Sequence, residues 1–139
     1  MKLLFDNCTA PVLASTLDAF IQRDGHRAYH LKDLTDLPRG RHSQDVEWLA
    51  YLKIQIDTWI FITADDRLRK NKPERIALRS SGLHGFVLAR GYAKLPMNQQ
   101  ASLLLWHWPS IMQVVSIVAP PALHELPVNR NPRLSSLPF

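Results

Sequence analysis

Residues 2–7 read KLLFDN, and the rest of the chain can be placed around them. Leu3, Leu4 and Phe5 form an apolar run that is too short for a helix and suits a buried strand. Asp6 and Asn7 follow where such a strand leaves the core. Open α/β sheets place their ligands there, outside the carboxyl ends of the strands. An Asp after a strand is also a common turn or helix-capping residue, so Asp6 gains meaning only from what converges on it.

The second decisive stretch is residues 58–66, TWIFITADD. Residues 58–63 are β-branched, aromatic and uncharged, the composition of a buried strand, and Asp65 and Asp66 follow directly. Between these two strands, Thr9 with Pro11 opens a helix whose apolar face is Leu13, Leu17, Phe20 and Ile21. A short strand is expected at 28–31 and a loop at 32–41, which carries Pro38 and Gly40. Ser43 or Gln44 begins a second helix with Asp45 and Glu47 in its first turn and Trp48, Leu49, Leu52 and Ile56 on its apolar stripe. Further on come a helix at 73–81 closed by Gly82 and a strand at 85–89. A long apolar helix from Asn98 towards Val118 follows, with a kink or break expected at Pro109. The Pro-rich tail from about 120 to 139 is expected to hold at most an edge strand or hairpin near 123–128. This β-α-β-α order is the signature of a mostly parallel sheet covered by helices on both faces.

A chain of 139 residues, 46% apolar with four Trp, fits one folded domain with a real core. No run approaches the ~18 apolar residues of a membrane span, and charge arrives too early for the apolar segment of a secretory signal. The single cysteine, Cys8, excludes an internal disulfide and fits a reducing compartment, so a cytoplasmic protein and a buried structural thiol are expected. The net charge of +5 is moderate. Gathering five of the twelve acids into one pocket would leave the remaining surface strongly basic and attractive to a polyanion such as nucleic acid.

Asp6, Asp65 and Asp66 end two strands that lie side by side in a right-handed layout, and the helix acids Asp45 and Glu47 can face the same rim. Carboxylates packed together repel one another unless a cation intervenes. Hard oxygen donors suit Mg²⁺ or Mn²⁺. Asp45 and Glu47 also fit as ordinary first-turn acids, and Asp66 as a helix cap. Arg67, Arg69, Lys70, Lys72 and Arg75 form a basic strip after these acids, suited to phosphate or equally to a solvated face. Thr63 and Asn7 are further candidates for ligand contact. Trp106 and Trp108 suit a stacking platform for bases, or packing of the last helix on the sheet. The histidines lack ligand spacing, and no Gly-rich phosphate loop occurs.

FDN with its Thr-Ala-Pro helix start, then QDVEWL, then FITADDRLRKNKPE, resembles the compact PIN-like domains over about residues 2–88. The likeness is strongest to those related to toxin ribonucleases of bacterial toxin–antitoxin modules. The resemblance implies a three-layer α/β/α sandwich and metal-dependent endoribonuclease activity. By position it implies Asp6 as the first-strand acid, Asp45 or Glu47 as the helix acid, and Asp65, with Asp66 as a possible addition, after the third strand. Of these, Asp6, Asp65 and Glu47 are taken as ligands of Mg²⁺ or Mn²⁺. The basic residues after the third motif would position RNA, and a cognate antitoxin or a second copy of the chain would be further partners. A separate fourth acid, carried by larger members, is absent unless Asp66 serves. A binding module for RNA or protein without catalysis is the alternative. A phosphoacceptor domain is disfavoured, because Asp6 is followed by Asn7 and no Lys follows the last strand.

Overall fold

The computed structural model describes residues 1–139. The strand β1 (Lys2–Phe5) lies inside a six-stranded sheet of order β2-β1-β3-β4-β5-β6, with β2 at Arg27–His30, β3 at Trp59–Thr63, β4 at His84–Leu88, β5 at Ala122–Leu126 and β6 at Ser135–Ser136. The first five strands are mutually parallel and β6 pairs antiparallel with β5. Pairing of Phe5 with Ile62 sets Asp6 beside Thr63 at the carboxyl rim.

Side chains alternate across each strand, so the short apolar runs feed two cores. Leu3, Phe5, Ile60, Ile62, Phe86 and Leu88 enter one core. It is closed by Leu13 and Leu17 of α1 (Pro11–Ile21) and by Leu104, Trp108 and Ile111 of α4 (Met97–Ile117). Leu4, Phe61 and Val87 enter the other. There they meet Trp48, Leu49 and Leu52 of α2 (Asp45–Lys53) and Leu78 of α3 (Lys72–Ser81). The result is a three-layer α/β/α sandwich. No helix is long and apolar enough to cross a membrane.

Three expectations need correction. First, β5 is an interior strand, paired with β4 on one side and β6 on the other. The prolines do not forbid this, because Pro120, Pro121 and Pro127 flank the strand and remove no ladder donor from within it. Second, Pro109 does not break the last helix: α4 is continuous from Met97 to Ile117 with Pro109 inside it. Pro109 is exposed, so water can reach the carbonyl that it frees, while its neighbour Trp108 and Ile111 are packed in the core. Third, the crossovers do not share one hand. α3 and α4 each carry the chain one strand further in the same direction, yet they cover opposite faces. The β4–α4–β5 connection therefore has the hand opposite to β3–α3–β4, and Leu137 and Phe139 from the end of the chain help cover the α2/α3 face.

Gly85 marks the tightest point of the sheet: a Cβ there would meet the Phe61 ring, and Leu123 Cδ1 at 2.7 Å. Gly85→Ala is expected to lower stability by about 1–3 kcal/mol, read as a fall in the midpoint of thermal or urea unfolding. The same substitution at Gly91, where the new methyl would meet only the Val128 side chain, should cost less.

Candidate active site

Asp6 ends β1 with its backbone still in the sheet, its N–H donating to the Ile62 carbonyl at 3.1 Å. Its side chain is only 2% exposed. One carboxylate oxygen accepts from the Thr63 hydroxyl and the other from the Cys8 N–H at 3.1 Å. Thr63 Oγ1 in turn accepts the Asp65 N–H at 2.9 Å, so one hydroxyl ties the two strand-end acids together. Thr9 Oγ1 donates to the Asp6 carbonyl at 2.7 Å and holds the turn into α1. Burial pushes the Asp6 carboxyl up to about 7; Asp45 and Asp65 add repulsion, and the Thr63 and Cys8 hydrogen bonds oppose the rise.

Asp6 opens onto a cavity of about 640 Å³ at the carboxyl rim, shared with Asn7, Asp45, Asp65, Arg67 and Glu74. Asp45 stands in the first turn of α2, where its Oδ1 accepts from Trp48 Nε1 at 2.9 Å. Burial raises its carboxyl above the usual range, with Glu74 and Asp65 reinforcing the effect. Asp65 faces the same space but is held by Arg67, whose Nε and Nη2 fork onto both carboxylate oxygens. That guanidinium keeps its carboxyl below the ordinary value. In this arrangement no three Asp, Glu, His or Cys side chains are gathered to hold a metal ion.

Glu47 does not belong to the site. Its carboxylate accepts the Gln44 N–H at 3.3 Å, closing a capping box, and pairs with Arg39 at 3.6 Å. Between the two helix acids, the side chain that faces the cavity is Asp45, as the helical rotation between positions 45 and 47 requires. Asp66 is likewise engaged elsewhere, pairing with Arg69 and with Lys70 Nζ at 3.1 Å beside a second cavity. The basic strip is therefore largely self-neutralised: Arg67 serves Asp65, Arg69 and Lys70 serve Asp66, and Lys72 and Arg75 make no ion pair. Cys8 is exposed at the cavity rather than buried, and its thiol is pushed up to about 11, chiefly by desolvation and then by the nearby acids. Trp108 packs in the core. Trp106 is half exposed, with its indole N–H on the Arg130 carbonyl at 3.0 Å and the Arg130 guanidinium over its ring.

Glu74 is the cavity acid that the sequence reading missed. It sits in the first turn of α3 after Pro73, and the only signal for it was that first-turn position, which both Asp45 and Glu47 share in α2. Arg41 and His42 from the loop before α2 complete the rim.

The molecule is thus an α/β/α sandwich with acids converging at the carboxyl ends of the adjacent strands β1 and β3. The profile of the PIN-like domain matches residues 1–90, and the chain belongs to that family, whose members are generally nucleases and typically use divalent metals. No curated protein and no solved structure matches the chain.

The raised Asp6 carboxyl has a direct consequence for stability. Because its folded value of about 7 lies above the ordinary 3.8, the folded state holds an extra proton between those pH values. The associated stability is complete below about 3.8 and lost as pH rises through about 7. Asp6→Asn removes this penalty, so at pH 8 without divalent ions the variant should be more stable than the parent by about 1–4 kcal/mol. The difference should shrink towards pH 4, as thermal melts at both pH values would show. Comparing the two proteins at each pH cancels the opposing effect of His84 and His124, whose values are lowered by burial.

Proposed function

We propose that the protein is a metal-dependent endoribonuclease, with the toxin of a toxin–antitoxin pair as its setting. The observation that carries this reading is the buried Asp6 carboxylate opening onto the same cavity as Asp45 and Asp65. A fold gains nothing from burying a carboxylate with other acids around it, because desolvation and repulsion both oppose it. Such a cost is characteristic of a functional site.

The inner acids offer carboxylate oxygens, the donors a hard divalent cation takes, with Cys8 and His42 also on the cavity wall. Asp6, Asp45 and Asp65 would hold Mg²⁺ or Mn²⁺, with Glu74 reached directly or through water. When bound, such an ion lowers the pKa of a coordinated water and stabilises charge on the scissile phosphate. The chain's own contributions are more specific. Thr63 and Cys8 N–H fix the orientation of Asp6. Trp48 fixes Asp45. Lys72 and Arg75 make no ion pair and would be cations left to meet an RNA backbone. Hydrolysis adds water oxygen to phosphorus as the ester P–O bond breaks, and the leaving oxygen takes up a proton.

Purified protein should cleave single-stranded RNA with Mn²⁺ or Mg²⁺ and stop in excess chelator. Asp6→Asn, Asp45→Asn and Asp65→Asn should each lower the rate by roughly 10²-fold or more, with circular dichroism unchanged. Glu47→Ala should keep its cleavage and lose only ~0.5–2 kcal/mol of stability through the helix cap. Cleavage that persists in chelator would sink the mechanism. RNA binding without cleavage or metal uptake would instead identify a non-catalytic binding module.

A further inference from the structure

Asp65 is the one proposed ligand whose carboxylate is already occupied by a cation. Arg67 Nε lies 3.0 and 3.1 Å from its two oxygens, Nη2 lies 2.8 Å from Oδ2, and the Arg67 backbone N–H reaches Oδ1 at 2.9 Å. The two partners differ in their surroundings. The Asp65 side chain is 16% exposed, on a backbone whose N–H donates to Thr63 Oγ1, whereas the Arg67 side chain is 74% exposed. The carboxylate is largely enclosed, whereas the guanidinium reaches it from the solvent side. Both residues also line the adjoining cavity of about 590 Å³, where Arg69 and Lys70 are occupied by Asp66 and Arg90 makes no ion pair.

A guanidinium and a divalent cation cannot share one carboxylate without strong mutual repulsion. A phosphate offers the guanidinium the same two-oxygen edge that a carboxylate does. We propose that Arg67 is an exchangeable guard, resting on Asp65 in the free protein and transferring to a backbone phosphate of bound RNA, so that Asp65 is released to a divalent cation when substrate arrives. RNA and metal then bind cooperatively, and the cavity stays closed to stray ions when no RNA is present. This inference rests on the metal-dependent reading above and adds the coupling between the two ligands.

The test is a calorimetric titration of Mn²⁺ into the full chain and into Arg67→Gln, Arg67→Lys and Arg69→Gln. Each is run with and without a non-cleavable 2′-O-methyl oligoribonucleotide, subtracting the uptake of Mn²⁺ by the oligonucleotide alone. Without oligonucleotide, Arg67→Gln should bind Mn²⁺ roughly tenfold more tightly than the parent. Arg67→Lys, a point charge without the fork, should fall between them, and Arg69→Gln should match the parent. The oligonucleotide should tighten Mn²⁺ binding to the parent by a similar factor, Mn²⁺ should tighten oligonucleotide binding equally, and Arg67→Gln should lose the coupling. Equal Mn²⁺ affinity in the parent and Arg67→Gln, with no effect of oligonucleotide, overturns the guard and leaves the carboxylate site standing. Absence of Mn²⁺ binding in every variant overturns both the guard and the metal-dependent reading.

Discussion

Burying the Asp6 carboxylate at the end of β1 carries a desolvation cost that only directed hydrogen bonds can offset, and the surrounding backbone is arranged to supply them. The parallel pairing of Phe5 with Ile62 brings Thr63 alongside, and the turn at residues 6–9 turns the Cys8 N–H back onto the carboxylate. Thr63 then has two tasks. Its hydroxyl donates to Asp6 and accepts from the Asp65 backbone, so the acid of the first strand and the acid after the third are positioned by one atom. Strand register, turn geometry and site geometry are consequently a single constraint: a slip of β1 against β3 would lose the site together with the core.

The acids divide by how their charge is compensated. Asp65 and Asp66 each carry cations from the four residues that follow them, and both carboxyls lie below the ordinary value. Asp6 and Asp45 have only hydrogen-bond donors, Thr63, Cys8 and Trp48, and both lie above it. Glu74 adds a further charge to the same cavity. The uncompensated charge is thus concentrated on the inner wall, while the outer rim is neutralised by Arg67, Arg69 and Lys70. A divalent cation would be drawn to the inner wall first, and Arg67 stands between the two regimes.

The order of elements and the parallel sheet could be read along the chain, and the strand-end positions of Asp6 and Asp65 from residues 2–7 and 58–66. A short apolar run bounded by charged or turn residues is long enough to be buried as a strand, and an acid directly after it then falls at the rim of the sheet. The helical rotation that separates Asp45 from Glu47 was also present in the sequence. The decision between them was not, since it depends on where α2 lies relative to β1, and that is fixed by Trp48, Leu49 and Leu52 meeting Leu4 and Phe61 in the second core. Glu74 was hidden for the same reason: its role follows from α3 packing beside α2, a contact with no local sequence mark. The basic strip misled in the opposite direction. Five cations in nine residues suggest a uniform phosphate-binding face, but acids at close sequence distance neutralise three of them. The prolines of the tail do not bar β5 from the sheet interior, because none lies inside the strand.

The stretch that matches the PIN-like family contains every acid of the cavity, from Asp6 to Glu74, yet it does not contain the whole support of that site. Leu13 and Leu17 of α1, the helix that follows the Asp6 turn, are covered by Leu104, Trp108 and Ile111 of α4, all beyond residue 90. Leu126 of β5 belongs to the same core cluster, and β5 also closes the open side of β4. A chain cut at residue 90 would expose these apolar faces and leave β4 as a bare edge. Removing the cover from α1 would also loosen the turn that directs Cys8 N–H and Thr9 at Asp6. The boundary of the family match is therefore a boundary of sequence likeness, while the physical unit that holds Asp6 in place extends through α4 and β5.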